Sequence, residues 1–459
     1  MDQLIANAAE LAGTGMRDLR ALALRVAGAG LEACDVRRAT ADAVTVTRDG
    51  VAIAGEEYLL DRAGRLVVVG SGKATLAIVK TLERILGDRL DGGVIAVRDV
   101  TDGDALERVE VLLADHPLPT SRSEGAARRI IDLVDGLGPS DLVIAAFTGG
   151  SSALTSLAPA GVTQADKRRL HELLLGSGAS IVDVNTVRKH VSSFKGGRLA
   201  AHVAPARLVS LVVSDVAGDL LDVTSDPSVQ DTTSVSDALE VIHRRDLWSE
   251  LPASIREHLT SADAHSPELT GEPHAVLLVH GAGVCDAMAA EARSSGVSAH
   301  VVSTQLQGEA SVIGDHLAGL GVECEWTGKP IAPPCVLVGC GGESTVTLAP
   351  EGSGGKFGDG GPNQEAAAAA ALRLESGNGV SVCFLDTDGS DGGTGAAGAI
   401  IDGLTAERAR SAGVDLAGAV ADHRSGEVMA ALGDQILTGP THTNVNDLFV
   451  VAVGSAADL

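Results

Sequence analysis

Lysine is scarce in this chain: only seven of 459 residues are lysine (73, 80, 167, 189, 195, 329 and 356), and basic residues number 35 against 61 acidic ones. A formal net charge of −26 excludes the basic footprint that a nucleic-acid binder needs to displace counterions from phosphates. Paired cysteines are missing as well. Six cysteines (34, 285, 324, 335, 340 and 383) are scattered without a C-x-x-C pair, which argues against a disulfide framework or a zinc site and for reduced, mostly buried thiols. No apolar run reaches the length of a membrane span. The N-terminus MDQLIANAAELAGTG lacks a basic region followed by an uninterrupted apolar stretch, so no secretory signal is visible and the cytoplasm is the expected compartment. What the chain does have is a 45% apolar share, enough to build two or three soluble domains.

Leu4, Ala8 and Leu11, then Leu19, Leu22 and Val26, recur at helical spacing, predicting an N-terminal amphipathic helix interrupted near Gly13 to Gly15. Beyond it, apolar runs of strand length at 66–69, 94–97, 109–113, 142–146, 208–213, 276–279 and 300–302 alternate with helical patterns at 74–86, 124–137 and 165–175. That alternation predicts an α/β fold with a doubly wound, mostly parallel sheet in a larger N-terminal domain, residues 1–330. The turn signals and adjacent prolines of TGKPIAPP, 327–334, mark a boundary. A smaller C-terminal α/β domain, 335–459, is expected to hold strands at 336–338, 382–385 and 448–453 and a helix at 365–374.

Scarcity makes the lysines in glycine-rich segments informative: Lys73, Lys195 and Lys356 each keep a compact positive charge suited to phosphate. LVVVGSGKAT, 66–75, reads as strand, glycine turn and helix start, the geometry that points backbone amides at an anion. It is not a Walker A loop, because Val67 and Ala74 stand where a Gly and a hydroxyl are needed, nor a good dinucleotide fingerprint, because Thr75 holds the third small position. LVIAAFTGGSSAL, 142–154, repeats the architecture. There the amides of Gly149 and Gly150 and the hydroxyls of Ser151 and Ser152 can cradle phosphate oxygens.

NTVRKHVSSFKGGRLA, 185–200, gathers Arg188, Lys189, Lys195 and Arg198 in an acidic protein, a local reversal of sign that favours an anionic ligand. In VVSDVAGD, Ser214 and Asp215 follow a strand, a position suited to a magnesium ligand or a general base, with turn formation as the competing explanation. TGPTHTNVND, 438–447, which includes Asn444, packs hydroxyls and amides around glycine and proline before the last strand, and ligand contact explains such a run better than core packing. The segment VCFLDTDGSDGGTG, 382–395, runs a strand, read as buried and parallel, into a turn bearing Asp386, Asp388 and Asp391. An EF-hand is excluded by spacing: Asp391 stands where a Gly is required and Ala397 where a bidentate Glu is required. A cation or phosphate contact and a solvated Asx turn are the two readings left.

In order, GSGKAT, FTGGSSAL, NTVRKH with KGGRLA, SDVAGD, LQGEA, GGESTV, GGPNQE, DTDGSDGGTGAAGA and TGPTHTNVND span residues 65–450. This series resembles the glycerate 2-kinase family whose C-terminal part is the MOFRL domain. The resemblance implies a kinase that uses ATP and Mg2+ to phosphorylate the 2-hydroxyl of D-glycerate, with a small-molecule sugar acid and a nucleotide as partners; the sequence leaves the oligomeric state open, a homodimer being one expectation. It places the active-site lysine on Lys73, the Ser-Asp turn on Ser214 and Asp215, and the phosphate-cradling glycines on Gly149 and Gly150. Further expected roles are acceptor binding for Arg188, Lys195, Ser214 and Asn444, nucleotide binding for Ser151, Ser152 and Lys356, and magnesium binding for Asp388 and Asp391. The family's Gly-Arg-Asn-Gln-Glu block reads Gly361, Pro362, Asn363, Gln364, Glu365 here, and Lys356 is the expected substitute for the missing arginine. His442 and Asp226 also replace usual glycines, which bears on acceptor choice. The alternatives are a kinase for a related sugar acid and an NAD(P)H-dependent hydroxypyruvate reductase.

Overall fold

The computed structural model describes every residue except 1–3, 61–63, 101–104, 117, 215–225, 270–273, 343, 349–357, 375–376, 442, 444 and 455–459. It divides into two compact units. One comprises Val36–Ser214 and the described residues from 226 to 278; the other comprises the described residues up to Asp35 and from Val279 onward.

The first unit opens with a small antiparallel sheet of β1 (Val44–Val46), β2 (Gly50–Ile53) and β3 (Glu56–Leu59). Its main sheet contains β4 (Leu66–Ser71), β5 (Gly92–Val97), β6 (Val109–Leu113), β7 (Leu142–Phe147), β8 (Arg207–Val213) and β9 (His274–Val279), in the order β6-β5-β4-β7-β8-β9. The pairs β4·β5, β4·β7, β5·β6 and β7·β8 are parallel. From β4 the chain winds outward to β6, then returns to the other side of β4 at β7. The gap between β4 and β7 is therefore a topological switch point, where open α/β sheets bind ligands beyond their carboxyl ends.

Both faces of this sheet are covered, which is why β4 and β7 read as unbroken apolar runs. Val67, Val69, Val143 and Ala145 pack with Ile130, Val134 and Leu199 from the helices Ser121–Val134 and Arg198–Val203. The alternate residues Val68 and Ile144 are equally buried, and the helix Thr75–Leu86 packs against β4, β5 and β7.

The second unit is built on β10 (Ser298–Leu306), β11 (Cys335–Gly341), β12 (Val380–Asp386), β13 (Gly398–Asp402), β14 (Gln435–Ile436) and β15 (Asp447–Val453). Their order is β10-β11-β15-β12-β13-β14. Only β10·β11 is parallel; β15 runs antiparallel between β11 and β12, and β12 is antiparallel to β13 as well. The strand at 382–385 is thus buried as expected but antiparallel to both neighbours. The alanine run lies in the helix Pro362–Arg373, where every residue from Ala366 to Ala371 is buried. The small side chains allow close helix packing: a Cβ on Gly314, in the helix Ala310–Thr327, would stand 2.0 Å from the Ala366 carbonyl oxygen.

Strand pairing places the 300–302 run and the expected 330/335 boundary differently from the sequence reading. β10 adds to β11 and not to the first sheet, so 327–334 is a connection inside the second unit. The N-terminal helices, Ala8–Ala12 and Arg17–Ala33, interrupted at 13–16 as expected, also belong there. Fully buried Arg20 pairs with Asp402 and, at 2.7 Å, with Asp434, which also holds Arg408. Asn7 bonds the backbone of Gln435 at 2.8 Å and Leu437 at 3.0 Å. The six cysteines are all buried, and none is disulfide-bonded. Among the described residues no helix is long and apolar enough to cross a membrane.

Candidate functional site

In the first unit the two glycine turns follow β4 and β7, the strands that flank the switch point, and they lock together. Thr148 N donates to Ser71 O at 3.0 Å, Lys73 N to Gly149 O at 2.9 Å and Ala74 N to Thr148 Oγ1 at 3.1 Å. Gly72, at φ +138°, permits this approach; a Cβ there would stand 2.1 Å from Thr148 Oγ1. The GSGK turn therefore does not offer its amides to an anion as expected, because those of Gly72, Lys73 and Ala74 are all used inside the protein. What it presents is the exposed Lys73 side chain.

The second turn behaves differently. Gly150 adopts φ +88° before the short helix Ser151–Leu154, and among the described residues the amides of Gly149 and Gly150 donate to no protein acceptor. Gly150 lies under two cationic or titratable side chains: a Cβ on it would be 3.6 Å from Lys73 Cγ and 3.2 Å from His116 Cδ2. Burial, then the positive charges of Lys73 and Arg98, push the His116 imidazole down, which favours the neutral ring. Sequence reading missed His116; its signal was its position just past β6, at the same end of the sheet. Ser214 is buried at the end of β8, and Asp215 lies outside the described residues.

The basic stretch divides into structural and ligand-facing groups. Lys189 forms a buried 2.7 Å ion pair with Asp231. Arg198 donates to the carbonyls of Lys189, Lys195, Ala264 and His265, tying two loops together. Arg188 and Lys195 instead line a small cavity with Lys167, His171, Ser152 and Ser156. Lys195 Nζ donates to Ser152 O at 2.9 Å, which joins this cavity to the TGGSS turn.

In the second unit LQGEA, GGESTV, GGPNQE, DTDGSDGG and TGPTHTNVND converge at one end of the sheet. The first two pair through Ala310 N to Thr345 O at 2.8 Å and Thr345 N to Gly308 O at 2.9 Å. The aspartate loop is stapled to the last block by Thr387 Oγ1, which donates to Asn446 O at 2.9 Å and accepts from Val445 N at 2.9 Å. Asp391 is 1% exposed. Its Oδ1 accepts from Asn363 N and Nδ2, and its Oδ2 from Gln364 N and Nε2, at 2.9–3.3 Å.

Both lone pairs of each Asp391 oxygen are thereby used. The expected magnesium ligand is instead a remote cap on the helix Pro362–Arg373. Asp447 plays a matching part, accepting from Ser344 N at 2.8 Å, Ser344 Oγ at 2.6 Å and Asn363 Nδ2 at 2.6 Å. Burial pushes both carboxyls up, against the pull of these donors. Asp386 accepts from Asp388 N at 2.9 Å, fixing the turn, and half-buried Asp388 accepts from Ser390 N at 2.9 Å. Among the described residues no three His, Cys, Asp or Glu side chains group to hold a metal. Lys356 and Asn444 lie outside the described residues.

Residues 22–260 match the family model "Domain of unknown function (DUF4147)" and residues 335–447 match the MOFRL family. A glycerate 2-kinase of Pyrococcus horikoshii is 37% identical over 444 residues, covering 95% of this chain and 98% of that protein. The chain belongs to the MOFRL/DUF4147 glycerate kinase family. An Agrobacterium vitis protein provisionally named a hydroxypyruvate reductase is also similar, 38% identical over 399 residues with 85% of this chain and 88% of that protein covered. The crystal structure of glycerate kinase from Thermotoga maritima superposes with a TM-score of 0.81 at 32% identity, covering 93% of this chain and 97% of that one. As a glycerate kinase family enzyme, the protein carries Pro362 at the first position of its helix, after the Gly361 cap. There the ring suits a residue whose amide has no intrahelical acceptor.

Proposed function

We propose that the protein is an ATP-dependent kinase that phosphorylates the 2-hydroxyl of D-glycerate to give 2-phosphoglycerate. The observation that carries this reading is the pair of turns at the β4/β7 switch point: Lys73 beside Gly150, and the Gly149 and Gly150 amides without protein acceptors among the described residues. Phosphoryl transfer asks mainly for positioning and neutralisation of charge spread over the equatorial phosphoryl oxygens. Lys73 offsets that charge, and the Gly149–Gly150 amides with Ser151 and Ser152 hold phosphate oxygens. Asp215 orients or deprotonates the acceptor hydroxyl, after Ser214 ends β8, and Asn444 contacts the acceptor.

Magnesium in such sites takes one or two carboxylates and completes its shell with water and phosphate oxygens. Asp388, at the tip of the aspartate loop, fits that demand, whereas saturated Asp391 does not. The ion supplies neutralisation of phosphate charge when bound. Lys356 supplies the cation that Pro362 cannot; unchanged turnover and Michaelis constants in Lys356→Ala would remove that assignment.

The reductase reading draws on the name of the Agrobacterium relative. Against it stands the GSGK turn, whose internally bonded amides leave no pyrophosphate cradle where a dinucleotide would need one. Incubation with ATP and D-glycerate, followed by ADP release, tests the kinase; NADH consumption with hydroxypyruvate and no ADP release with any sugar acid would overturn it.

A further inference from the structure

The cavity beside the TGGSS turn concentrates positive charge that the described residues do not neutralise. Lys167, Arg188 and Lys195 line it, as does Arg168, which is paired with Glu172 at 3.0 Å. Lys167 Nζ donates to Ser156 Oγ and Leu157 O, both at 3.1 Å, and Lys195 Nζ to Ser152 O at 2.9 Å, so both ammonium groups rest on neutral acceptors. Among the described residues Arg188 forms no ion pair. The carboxylates that act on the two ammonium groups are Glu124, toward Lys167, and buried Asp226, toward Lys195. Burial pushes Asp226 up and so weakens its charge, and its Oδ1 accepts from the backbone amide and the hydroxyl of Ser228. His171 also lines the space, and its buried Nδ1 has no hydrogen-bond partner among the described residues. Three cations and an unsatisfied imidazole nitrogen form a receptor for an oxyanion.

Size narrows the occupant. The cavity holds about 40 Å³, space for roughly three water-sized groups. A carboxylate with its adjoining carbon fits, and a nucleoside does not. Position narrows it further, because Ser152 belongs to both the cavity wall and the turn assigned above to phosphate. A 2-hydroxy acid has its hydroxyl one carbon away from its carboxylate, so anchoring the carboxylate here brings the hydroxyl toward that turn.

We infer that the Lys167–Arg188–Lys195 cavity is the carboxylate pocket of the acceptor, and that Lys167 is a specificity-determining residue that restricts acceptors to small 2-hydroxy acids. This rests on the kinase reading above. Linkage gives it a second signature. Burial and the charges of Arg188 and Arg198 push the Lys167 ammonium down to about 7. Burial with Arg188 and Lys167 pushes Lys195 well below its usual range, while His171 is pushed to about 4 and stays neutral. The pocket therefore loses charge as pH rises through neutrality, and acceptor binding takes up protons.

The test is calorimetric titration of D-glycerate, without nucleotide, into the whole protein and its Lys167→Met and Lys167→Arg variants, with steady-state kinetics alongside. Loss of a charge-assisted hydrogen bond weakens D-glycerate on the order of tenfold or more in Lys167→Met, with the KM for ATP unchanged and partial recovery in Lys167→Arg. Equal D-glycerate affinity in folded Lys167→Met overturns the inference, as does a loss that falls on ATP instead, which would make the cavity a nucleotide-phosphate site. If the wild-type protein phosphorylates no sugar acid, the kinase reading fails independently. Titrations with lactate and with sulfate then decide the pocket: lactate binding that Lys167→Met abolishes sustains it, and sulfate binding alone or no binding at all overturns it.

Discussion

The two units solve opposite electrostatic problems. Around the switch point of the first, cations are held by neutral acceptors: Lys195 on a carbonyl, Lys167 on a hydroxyl and a carbonyl. At the loop end of the second, the carboxylates of Asp391 and Asp447 are loaded with backbone and amide donors. A charge left on neutral partners is available to a ligand, whereas a charge saturated by the fold holds the fold together. A motif rich in ionisable residues therefore does not by itself reveal which task it performs.

That contrast can be broken by substitution. Lys73→Ala should lower turnover on the order of a hundredfold or more while leaving the urea midpoint unmoved, since the side chain is exposed; near wild-type ADP release would refute its assignment. Asp391→Ala should do the reverse. Removing a buried carboxylate that accepts from Asn363 and Gln364 should cost roughly 3 kcal/mol of stability in urea unfolding, with the magnesium dependence of the folded fraction unchanged. A shifted magnesium dependence would return Asp391 to the metal.

The pH response should separate the units next. The acceptor KM should rise by roughly tenfold from pH 6.5 to 8.5 as Lys167 loses its proton, and a flat profile would show that the cavity charge is not used. The smallest effect is expected at Pro362. Pro362→Ala should lower stability by only about 0.5 kcal/mol, because the helix start is held chiefly by Asp391; a loss as large as that of Asp391→Ala would reverse this ranking.

Much of the layout was legible in the sequence because apolar runs and glycine turns obey local rules. The turns after β4 and β7, the broken N-terminal helix and the closing strand all sit where periodicity put them. Strand direction at 382–385 was not legible, since a strand covered on both faces reads as a continuous apolar run whichever way its neighbours run. The small sheet β1–β3 leaves no clear mark in the sequence because its strands are only three to four residues long and β3 carries exposed glutamates. Asp391 looked like a metal ligand because capping the helix that begins 29 residues earlier, at Pro362, is a tertiary event with no local signature. Scarcity makes every lysine conspicuous, yet nothing local marks Lys167 as part of a site. Its helix reads as an ordinary amphipathic one, and only the fold brings Arg188 and Lys195 to it.

The buried Arg20 network also has a consequence in time. Arg20 and its partner Asp402 are separated by 382 positions, so at synthesis rates of about 5–20 residues per second the arginine waits roughly 20–75 s for its carboxylate. For roughly the last third of that interval the intervening unit, from Val36 to about residue 278, has all of its own strands available to pair. The chain is thus arranged for nested maturation. The middle closes first, and the beginning finds its place only when the end arrives.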